Sequence, residues 1–441
     1  MDLKSKSSDL IRFNPNVVLV GGPSGVGKTS IVNTLIELKG HLYSRPLSYT
    51  SRSKRSNENN TEFIFVKKEE IFKMLEENKI LTIDEVYGNF YSISRESLQS
   101  ILSSGKIPIK EVHPKNHKKF KKFFPGLISV LILPTFDGSN DQDANSSRQG
   151  RESEDIEFYS GLDLNEFDII LYADNKQKIE SIAQNLDIAI ISYTSTSHYF
   201  PPPPIIDKIN VLGYGKAAPE FSEDKRITTK NFHDLSFPFF QNFIEKELKS
   251  SHKCLEIGPG QGWLRNNFKW PSVEYLSIDV SHEMIKQNKN EGNIKMSVRA
   301  LNFPDKYFDV VLASLADPYF FPAALCEIRR VLKDNGIFTF SIPTKTWSNG
   351  IRKTSDSNKT IFVMKDGSLA EVYSFTFDIK GIKDLLYLCG LSISKSEVVF
   401  GKKLPKDETV SPAIINSSKT LGIKIKDLPI INNIISRKRM I

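Results

Sequence analysis

The feature that most constrains the fold is an apolar run that leads into a glycine-rich loop and then into a helical pattern. Residues 17–30 read VVLVGGPSGVGKTS. Apolar side chains then recur at helical spacing, at Ile31, Val32, Leu35, Ile36 and Leu38. The order strand, loop, helix matches the pattern G-x-x-x-x-G-K-[ST] between Gly22 and Thr29. It predicts a buried parallel strand and a loop that binds phosphate groups.

Each part of this loop has an expected role in holding a nucleoside triphosphate. The glycines let successive backbone N–H groups point at the phosphates, and the helix N-terminus adds positive potential. Lys28 is expected to reach the β- and γ-phosphates, and the Thr29 hydroxyl to bind Mg²⁺. The predicted ATP-binding residues are Gly22, Ser24, Gly25, Gly27, Lys28, Thr29 and Ser30. The motif leaves the acceptor of the phosphoryl group open.

Length and composition limit the class of protein. A chain of 441 residues should hold two to three domains. No apolar run approaches the roughly 20 residues needed to span a membrane, and residues 1–16 lack the apolar core of a secretory signal. The three cysteines, Cys254, Cys326 and Cys389, show no metal-ligand spacing. These features predict a cytoplasmic protein without membrane association.

The net charge of +8 permits an anionic substrate or nucleic acid and requires neither. One local cluster stands out, because residues 113–123 read HPKNHKKFKKF. A lysine-rich, solvated face is the favoured interpretation, and an RNA-binding patch is the alternative.

The chain divides at a run of four prolines. Pro201–Pro204 cannot continue a helix or lie in a central strand, so they are expected to form a stiff, extended spacer. The predicted organisation is a first domain over 1–195, a linker over 196–209, a second domain over 210–400 and a C-terminal extension over 401–441. Alternating strand and helix patterns predict two α/β domains with doubly wound, mostly parallel sheets. The polar segment 137–155 fits a mobile lid or a disordered insertion.

The first domain resembles the guanylate kinases, which are P-loop nucleoside monophosphate kinases. Residues 48–58 read SYTSRSKRSNE and are similar to the family pattern S-x-T-x-R-x-x-R-x-x-E. Residues 85–91 read EVYGNFY and are similar to the family's E-x-x-G-N-Y-Y. With the phosphate-binding loop, these motifs extend the resemblance over about residues 15–190.

The resemblance implies how an acceptor phosphate would be held. Two arginines three residues apart can both bind one phosphate through their planar guanidinium groups. Arg148 and Arg151 resemble lid arginines that neutralise the transferring phosphoryl group. The implied acceptor-binding residues are Ser48, Arg52, Arg55, Glu58, Tyr91 and Glu111, and the implied catalytic residues are Lys28, Arg52, Arg148 and Arg151.

One departure from the family concerns the acceptor phosphate, and three concern the recognition of guanine. Phe63 replaces a phosphate-binding tyrosine, and Thr82 replaces a base-reading glutamate. Ile93 replaces a serine or threonine, and His113 replaces the second aspartate of a D-x-D motif whose first position Glu111 fills. A buried polar edge of the base that is left without a hydrogen-bond partner costs about 1–3 kcal/mol. The loss of the base-reading groups therefore predicts poor selection of GMP.

The second domain resembles the class I methyltransferases that use S-adenosylmethionine. Residues 253–262 read KCLEIGPGQG, a strand that ends in E-x-G-x-G-x-G, and the next strand ends at Asp279. A glycine turn followed by an acidic residue is also the dinucleotide-binding arrangement. Glu256 and the segment DVSHEMI after that strand favour S-adenosylmethionine. The implied cofactor-binding residues are Glu256, Gly258, Gly260, Gly262, Asp279 and Met284.

Further segments extend this resemblance over about residues 210–400. Residues 302–311 and 326–336 are similar to the family's L-P-F-x-D-x-x-F-D-x-V and E-x-x-R-V-L-K-P-G-G patterns. The acidic residue that usually binds the adenine amino group is Ser297 or absent. Asp317-Pro318-Tyr319 is similar to a D-P-P-Y loop that holds a nitrogen acceptor, but an ordinary turn is the favoured interpretation.

Together these patterns predict a bifunctional transferase that uses ATP, Mg²⁺ and S-adenosylmethionine. One module is expected to phosphorylate a small molecule that already carries a phosphate, and the other to transfer a methyl group. Two alternatives stay open: an RNA-modifying methyltransferase with an ATP-binding accessory domain, and a methyltransferase on an inactive kinase scaffold.

Overall fold

The computed structural model describes residues 17–54, 62–86, 88–135, 158–159, 161–173, 177–197, 199–221, 226–352, 358–406 and 409–439. Contacts between residues divide the chain into two units, Met1–Ser197 and His198–Ile441.

The first unit is built on a five-stranded parallel sheet. Its strand order is β2-β7-β1-β8-β9. β1 lies at the centre, because all five of its residues are buried and it pairs in parallel with β7 and β8. The strands are β1 (Val17–Gly21), β2 (Tyr43–Ser44), β7 (Ile107–Glu111), β8 (Leu127–Pro134) and β9 (Ile169–Ala173). The central position of β1 places the glycine-rich loop at the carboxyl edge of the sheet.

A second sheet of four short strands lies beside this core in the first unit. Its order is β4-β3-β6-β5, and β6 is antiparallel to both β3 and β5. The strands are β3 (Ser48–Thr50), β4 (Phe63–Phe65), β5 (Asp84–Val86) and β6 (Asn89–Ile93). The helices described in this unit are α1 (Lys28–Lys39), α2 (Lys68–Glu76), α3 (Arg95–Ser103), α4 (His117–Lys121) and α5 (Ile179–Thr196). Sequence periodicity did not predict this mixed sheet, because its strands have three to five residues.

The second unit is built on a seven-stranded sheet. Its order is β12-β11-β10-β13-β14-β18-β17, parallel from β12 to β14 and antiparallel from there. The strands are β10 (Lys253–Ile257), β11 (Glu274–Asp279), β12 (Asn293–Lys295), β13 (Phe308–Ala313), β14 (Leu332–Pro343), β17 (Leu391–Phe400) and β18 (Pro429–Lys438). A separate hairpin is formed by β15 (Lys359–Val363) and β16 (Leu369–Tyr373). The predicted class of two α/β units with mostly parallel sheets is confirmed.

Helices cover the sheet of the second unit. They are α6 (Pro203–Ala217), α7 (Ile227–Glu247), α8 (Trp263–Asn267), α9 (His282–Gln287), α10 (Pro322–Val331), α11 (Lys345–Asn349), α12 (Ile379–Leu388) and α13 (Pro412–Leu421). Within the described parts of the chain, no helix combines the length and the apolar character that crossing a bilayer requires.

Two expectations about the ends of this unit need correction. The extended spacer does not reach Pro204, because α6 begins at Pro203. Proline is tolerated in the first turn of a helix, where its missing N–H would have no intrahelical partner. The segment 401–441 is not an appendage to the sheet, because β18 lies between β14 and β17. All seven residues of its segment IINNIIS are buried, which a terminal extension would not require.

The contact of α6 with the β15–β16 hairpin leads to a stability prediction. A Cβ atom on Gly213 would lie 2.0 Å from the Glu371 carbonyl oxygen, whereas one on Gly215 would meet only the Ser281 hydroxyl at 3.9 Å. Gly213→Ala should therefore destabilise the unit by about 1–3 kcal/mol through overpacking. Gly215→Ala, in the same helix, should stabilise it by about 1 kcal/mol through helix propensity.

Urea unfolding followed by tryptophan fluorescence will measure both changes, because all three tryptophans of the chain, Trp263, Trp270 and Trp347, lie in the second unit. Equal shifts of the two variants in the same direction would contradict the close packing of α6 on β16.

Candidate active sites

The glycine-rich loop of the first unit wraps around the N-terminus of α1. Gly25 and Gly27 have φ values of 85° and 84°, and Gly22 has a φ of 153°. A Cβ on Gly22 would lie 2.3 Å from the Ile132 carbonyl oxygen, so the loop runs close to β8. No side chain caps α1 at Gly27, which leaves the first-turn N–H groups available to phosphate oxygens. The loop therefore fits a polyphosphate.

Lys28 and the hydroxyl-bearing side chains of this loop differ in their surroundings. Lys28 donates hydrogen bonds from Nζ to the carbonyl oxygens of Gly22 and Pro23, both at 2.7 Å. Its ammonium thus lies over the loop that the phosphates would occupy. Ser24, Thr29 and Ser30 are exposed.

A cavity of about 200 Å³ opens beside this loop. Its walls combine part of the loop with the strands of the mixed sheet and with β7. They include three residues of the loop (Gly22, Ser24, Lys28) and three predicted acceptor-binding residues (Ser48, Tyr91, Glu111). Ser48 is 2% exposed, and its hydroxyl has no hydrogen-bond partner among the described residues. The structure thus brings the predicted donor and acceptor sides together in one cavity.

Three of the four positions where this chain departs from the guanylate kinase pattern line the same cavity, and the fourth, Thr82, contacts a residue of its wall. Phe63, Ile93 and His113 all contribute to its wall. Arg52 lies next to it, with its guanidinium 5.2 Å from the centroid of the Phe63 ring. Thr82 donates from its hydroxyl to Asp84, which lines the cavity.

Glu111 is held by an arginine that the sequence patterns did not single out. Arg45 contacts Glu111 at 2.7 Å and also pairs with Glu62 at 2.5 Å. The Arg45 side chain is 9% exposed, so its charge is balanced by two carboxylates within the protein. Glu111 is therefore part of an ion-pair network as well as of the cavity wall.

A larger cavity, of about 850 Å³, lies at the carboxyl edge of the sheet in the second unit. Five of the six predicted cofactor-binding residues line it: Glu256, Gly258, Gly260, Asp279 and Met284. Gly262 is outside that wall and instead precedes α8 with a φ of 86°. The volume lies within the range of about 300–1,000 Å³ typical of ligand sites.

Two buried carboxylates dominate the electrostatics of this cavity. Glu256 is 1% exposed and Asp279 is 5% exposed. Burial raises the pKa of each to about 7. Asp279 accepts a hydrogen bond from the backbone N–H of Ser281 at 2.8 Å, and Glu256 accepts one from the Tyr275 hydroxyl. Buried carboxylates at the ends of adjacent strands fit a ligand that carries hydroxyl groups and a cationic amine.

Comparison with known proteins finds a family match within each unit. Residues 14–192 match the family model described as guanylate kinase, and residues 255–340 match one described as a methyltransferase domain. The chain thus joins a segment that matches guanylate kinases to a segment that matches methyltransferases. Both are domains of transferase enzymes, and the resemblances inferred from the sequence are confirmed.

Individual relatives match one domain each. A guanylate kinase of Wolinella succinogenes is 35% identical over 121 residues, which are 27% of this chain and 55% of that enzyme. A guanylate kinase of Shewanella violacea is 29% identical over 171 residues, 36% of this chain and 80% of that enzyme. A putative S-adenosylmethionine-dependent methyltransferase of Listeria monocytogenes is similar in structure, with 18% identity and a TM-score of 0.33. It covers 46% of this chain and the whole of that protein. The chain spans about half the length of the guanylate kinase of Wolinella succinogenes.

Four residues predicted for the kinase domain, Arg55, Glu58, Arg148 and Arg151, lie outside the described residues. The segment predicted as a lid or an insertion, 137–155, also lies outside them. The roles of these residues stay predictions from the resemblance.

Some lysines of the lysine-rich segment in the kinase domain are paired with carboxylates. Lys118 pairs with Glu166, and Lys121 lies 3.3 Å from Asp168. Such pairing agrees with the interpretation of this segment as a solvated, charged face. It offers no specific support for an RNA-binding patch.

In the methyltransferase domain, a carboxylate lies near Ser297 that sequence reasoning missed. Asp207, on α6, accepts hydrogen bonds from the Ser297 hydroxyl at 2.7 Å and from Arg299 Nε at 2.6 Å. It lies far from Ser297 in sequence, so no local pattern could have identified it. Asp207 and Ser297 line a small pocket together with Asp279.

The Asp317–Tyr319 segment, expected to be an ordinary turn, is a 3₁₀ helix that lines the large cavity. Asp317 accepts a hydrogen bond from the Ser374 hydroxyl, and burial raises its pKa to about 6. The phenol of Tyr319 packs directly on Gly258, where any Cβ would lie 2.2 Å from it. This contact explains why the loop requires glycine at that position.

Proposed function

We propose that the chain is a bifunctional transferase. Its kinase domain would move the γ-phosphoryl group of ATP to a small molecule that already carries a phosphate. Its methyltransferase domain would move a methyl group from S-adenosylmethionine to a second acceptor. The observation that supports the kinase function best is the cavity in which Lys28 of the phosphate-binding loop meets Ser48 and Tyr91.

The residues of the kinase domain suit a phosphoryl transfer in which the protein mainly positions the donor and the acceptor. When bound, ATP–Mg²⁺ supplies the phosphoryl group, and a phosphate oxygen of the acceptor forms the new P–O bond as the bond to ADP breaks. Lys28 would stabilise charge on the β- and γ-phosphates, Thr29 would hold Mg²⁺, and Arg52 would fix the acceptor. Little covalent chemistry is required of the protein in such a reaction.

The acceptor is proposed to be nucleotide-like without strong selection of guanine. Ile93 and His113 line the cavity where the family places groups that read the base. Ile93 is 4% exposed and offers no hydrogen-bonding group from its side chain. Sites that hydrogen-bond a substrate discriminate strongly, and the loss of those groups relaxes the discrimination.

The methyltransferase cavity has room for an acceptor beside the cofactor. When bound, S-adenosylmethionine supplies an electrophilic methyl group on its sulfonium. Asp279 would accept hydrogen bonds from the ribose hydroxyls, and Glu256 would interact with the amino-acid part. Other parts of the wall are aromatic, with Phe232, Trp347 and Phe362 among them. This composition supports a small acceptor with an apolar body, held in line with the methyl group by proximity.

The test of the kinase function is a steady-state assay of the full chain. ATP and Mg²⁺ are supplied with GMP, with other nucleoside monophosphates and with sugar phosphates, and ADP release is measured. We expect GMP to be a poor acceptor and another phosphate-bearing compound to be better. Arg52→Ala should eliminate turnover of that acceptor, because a bidentate phosphate contact is lost.

Two results would contradict this proposal. Efficient phosphorylation of GMP alone would show that guanine is still selected. Absence of phosphoryl transfer to every acceptor, together with tight binding of ATP, would favour an inactive kinase scaffold.

A further inference from the structure

The kinase cavity contains a buried cation that neither the loop motif nor the acceptor motif includes. Lys110, on β7, is 4% exposed and lines the cavity. Among the residues that the structure describes, its ammonium makes no hydrogen bond or ion pair. The ammonium lies over the face of Phe63, with Nζ 4.3 Å from the ring centroid. A lysine with so little exposure is rare unless it is paired.

The burial of this ammonium opposes its charge. Desolvation lowers the pKa of Lys110 to about 8, and the charges of Glu111 and Glu62 act against that effect. Both carboxylates are already paired with Arg45. An unpaired charge in the interior reduces the stability of the folded protein. An anionic ligand would pair with this ammonium and offset the cost of its burial, which favours binding.

The surroundings of Lys110 form a set of donors around one aromatic ring. Arg52 lies over the same Phe63 ring at 5.2 Å, and the Tyr91 ring lies 6.3 Å from it. Ser48 pairs with Phe63 in the register of β3 and β4, and its buried hydroxyl has no partner among the described residues. Two cations and two hydroxyl-bearing residues thus surround Phe63. Such a group of donors suits a multivalent oxyanion.

We propose that Lys110 binds the phosphate of the acceptor, together with Ser48, Arg52 and Tyr91. This inference rests on the proposed kinase function and adds a specific ligand to it. Phe63 lacks the hydroxyl that a tyrosine would supply at this position, and the ammonium over its ring supplies a charged donor instead. The ligand class is a phosphate monoester dianion, recognised by charge and independently of the group it is attached to.

The carboxylates in this cavity do not exclude an anion. Glu111 is neutralised by Arg45 at 2.7 Å. Asp84 accepts from Thr82 at 3.2 Å, and burial raises its pKa to about 6. The charged and titratable groups that line the cavity with Lys110, act on its charge or share the Phe63 ring with it are Lys28, Arg45, Arg52, Glu62, Asp84, Tyr91, Glu111, His113 and Tyr159.

The experiment compares the wild-type chain with Lys110→Met, which keeps the length of the side chain and removes its charge. The phosphate-binding loop is first filled with a non-hydrolysable ATP analogue and Mg²⁺. Ribose 5-phosphate, which has no base, and GMP are then titrated by calorimetry. Lys106→Met is the control, because Lys106 lies just before β7 and does not line the cavity.

We expect Lys110→Met to weaken the binding of both probes by about ten- to a hundredfold, as the loss of one charged hydrogen bond implies. The control should bind like the wild type. Calorimetric unfolding without ligand should show Lys110→Met at least as stable as the wild type, because the variant removes an unpaired buried charge. Wild-type affinity for ribose 5-phosphate should fall between pH 7.5 and 9.5, as the lysine loses its proton, and the affinity of Lys110→Met should not.

The outcomes separate this inference from the proposed function. Wild-type affinity in Lys110→Met would overturn the role of Lys110 and leave the kinase function in place. If Lys110→Met weakened the binding of GMP and left that of ribose 5-phosphate unchanged, Lys110 would contact the base and not the phosphate. That result would also overturn the inference. A wild-type chain that binds neither probe would overturn this inference, because it contradicts recognition of a phosphate monoester independently of the attached group. The kinase function would then be decided by the assay with the other acceptors.

Discussion

Lys28→Ala is expected to abolish phosphoryl transfer while leaving the binding of S-adenosylmethionine unchanged. Removing one group that stabilises transition-state charge commonly costs about 10²–10³ in rate, and Lys28 is the lysine of the loop that would contact the phosphates. Its Nζ lies 2.7 Å from two carbonyl oxygens of its own loop, so the side chain is already folded over the phosphate position.

The selective effect follows from the division of the chain into two units. Lys28 belongs to the unit Met1–Ser197, and the methyltransferase cavity belongs to the other. The binding of S-adenosylmethionine can be followed by fluorescence of Trp263 and Trp347, both of which line that cavity. Lys39→Ala is the matched control, because Lys39 is at the other end of α1 and, among the described residues, its side chain forms a 3.9 Å ion pair with Asp187 and no other ion pair. Loss of methyl-donor binding in Lys28→Ala would contradict the independence of the two modules.

The parts of both sites that follow from sequence are those formed by consecutive residues. The loop Gly22–Thr29 determines its own conformation, because its glycines adopt positive φ values that other residues disfavour. The same holds for Gly258, Gly260 and Gly262. A strand, a glycine turn and a helix are local events, so a single sequence is sufficient to predict them.

The residues that sequence reasoning missed depend on contacts between distant segments. In the strand IPIKE, the sequence alone predicts that the lysine faces solvent. Lys110 is buried because β4, which is far from it in sequence, places Phe63 against it. Asp207 reaches Ser297 only because α6 packs against α9. β18 likewise pairs with β14 and β17 although it lies far from β14 in sequence. No periodicity encodes such pairings.

Asp279→Ala is expected to weaken the binding of S-adenosylmethionine at least tenfold. The ribose hydroxyls would lose a charged acceptor, and hydrogen bonds to charged groups contribute about 1.5–3 kcal/mol, of which about 1.4 kcal/mol is a factor of ten in affinity. Calorimetric titration of the full chain with S-adenosylhomocysteine measures the change. Glu274→Ala is the control, since Glu274 begins the same strand with a half-exposed side chain that faces Lys253.

The protonation of this carboxylate provides a second measurement. Since burial raises the pKa of Asp279 to about 7, the group is largely protonated at pH 6 and largely ionised at pH 8 in the free protein. Only the ionised form is a charged acceptor, so wild-type affinity should rise over this interval. Glu256, with a pKa also raised to about 7, contributes to the same rise. The pH dependence of Asp279→Ala should therefore be smaller and not absent. An unchanged dissociation constant and an unchanged pH dependence would remove Asp279 from the cofactor site.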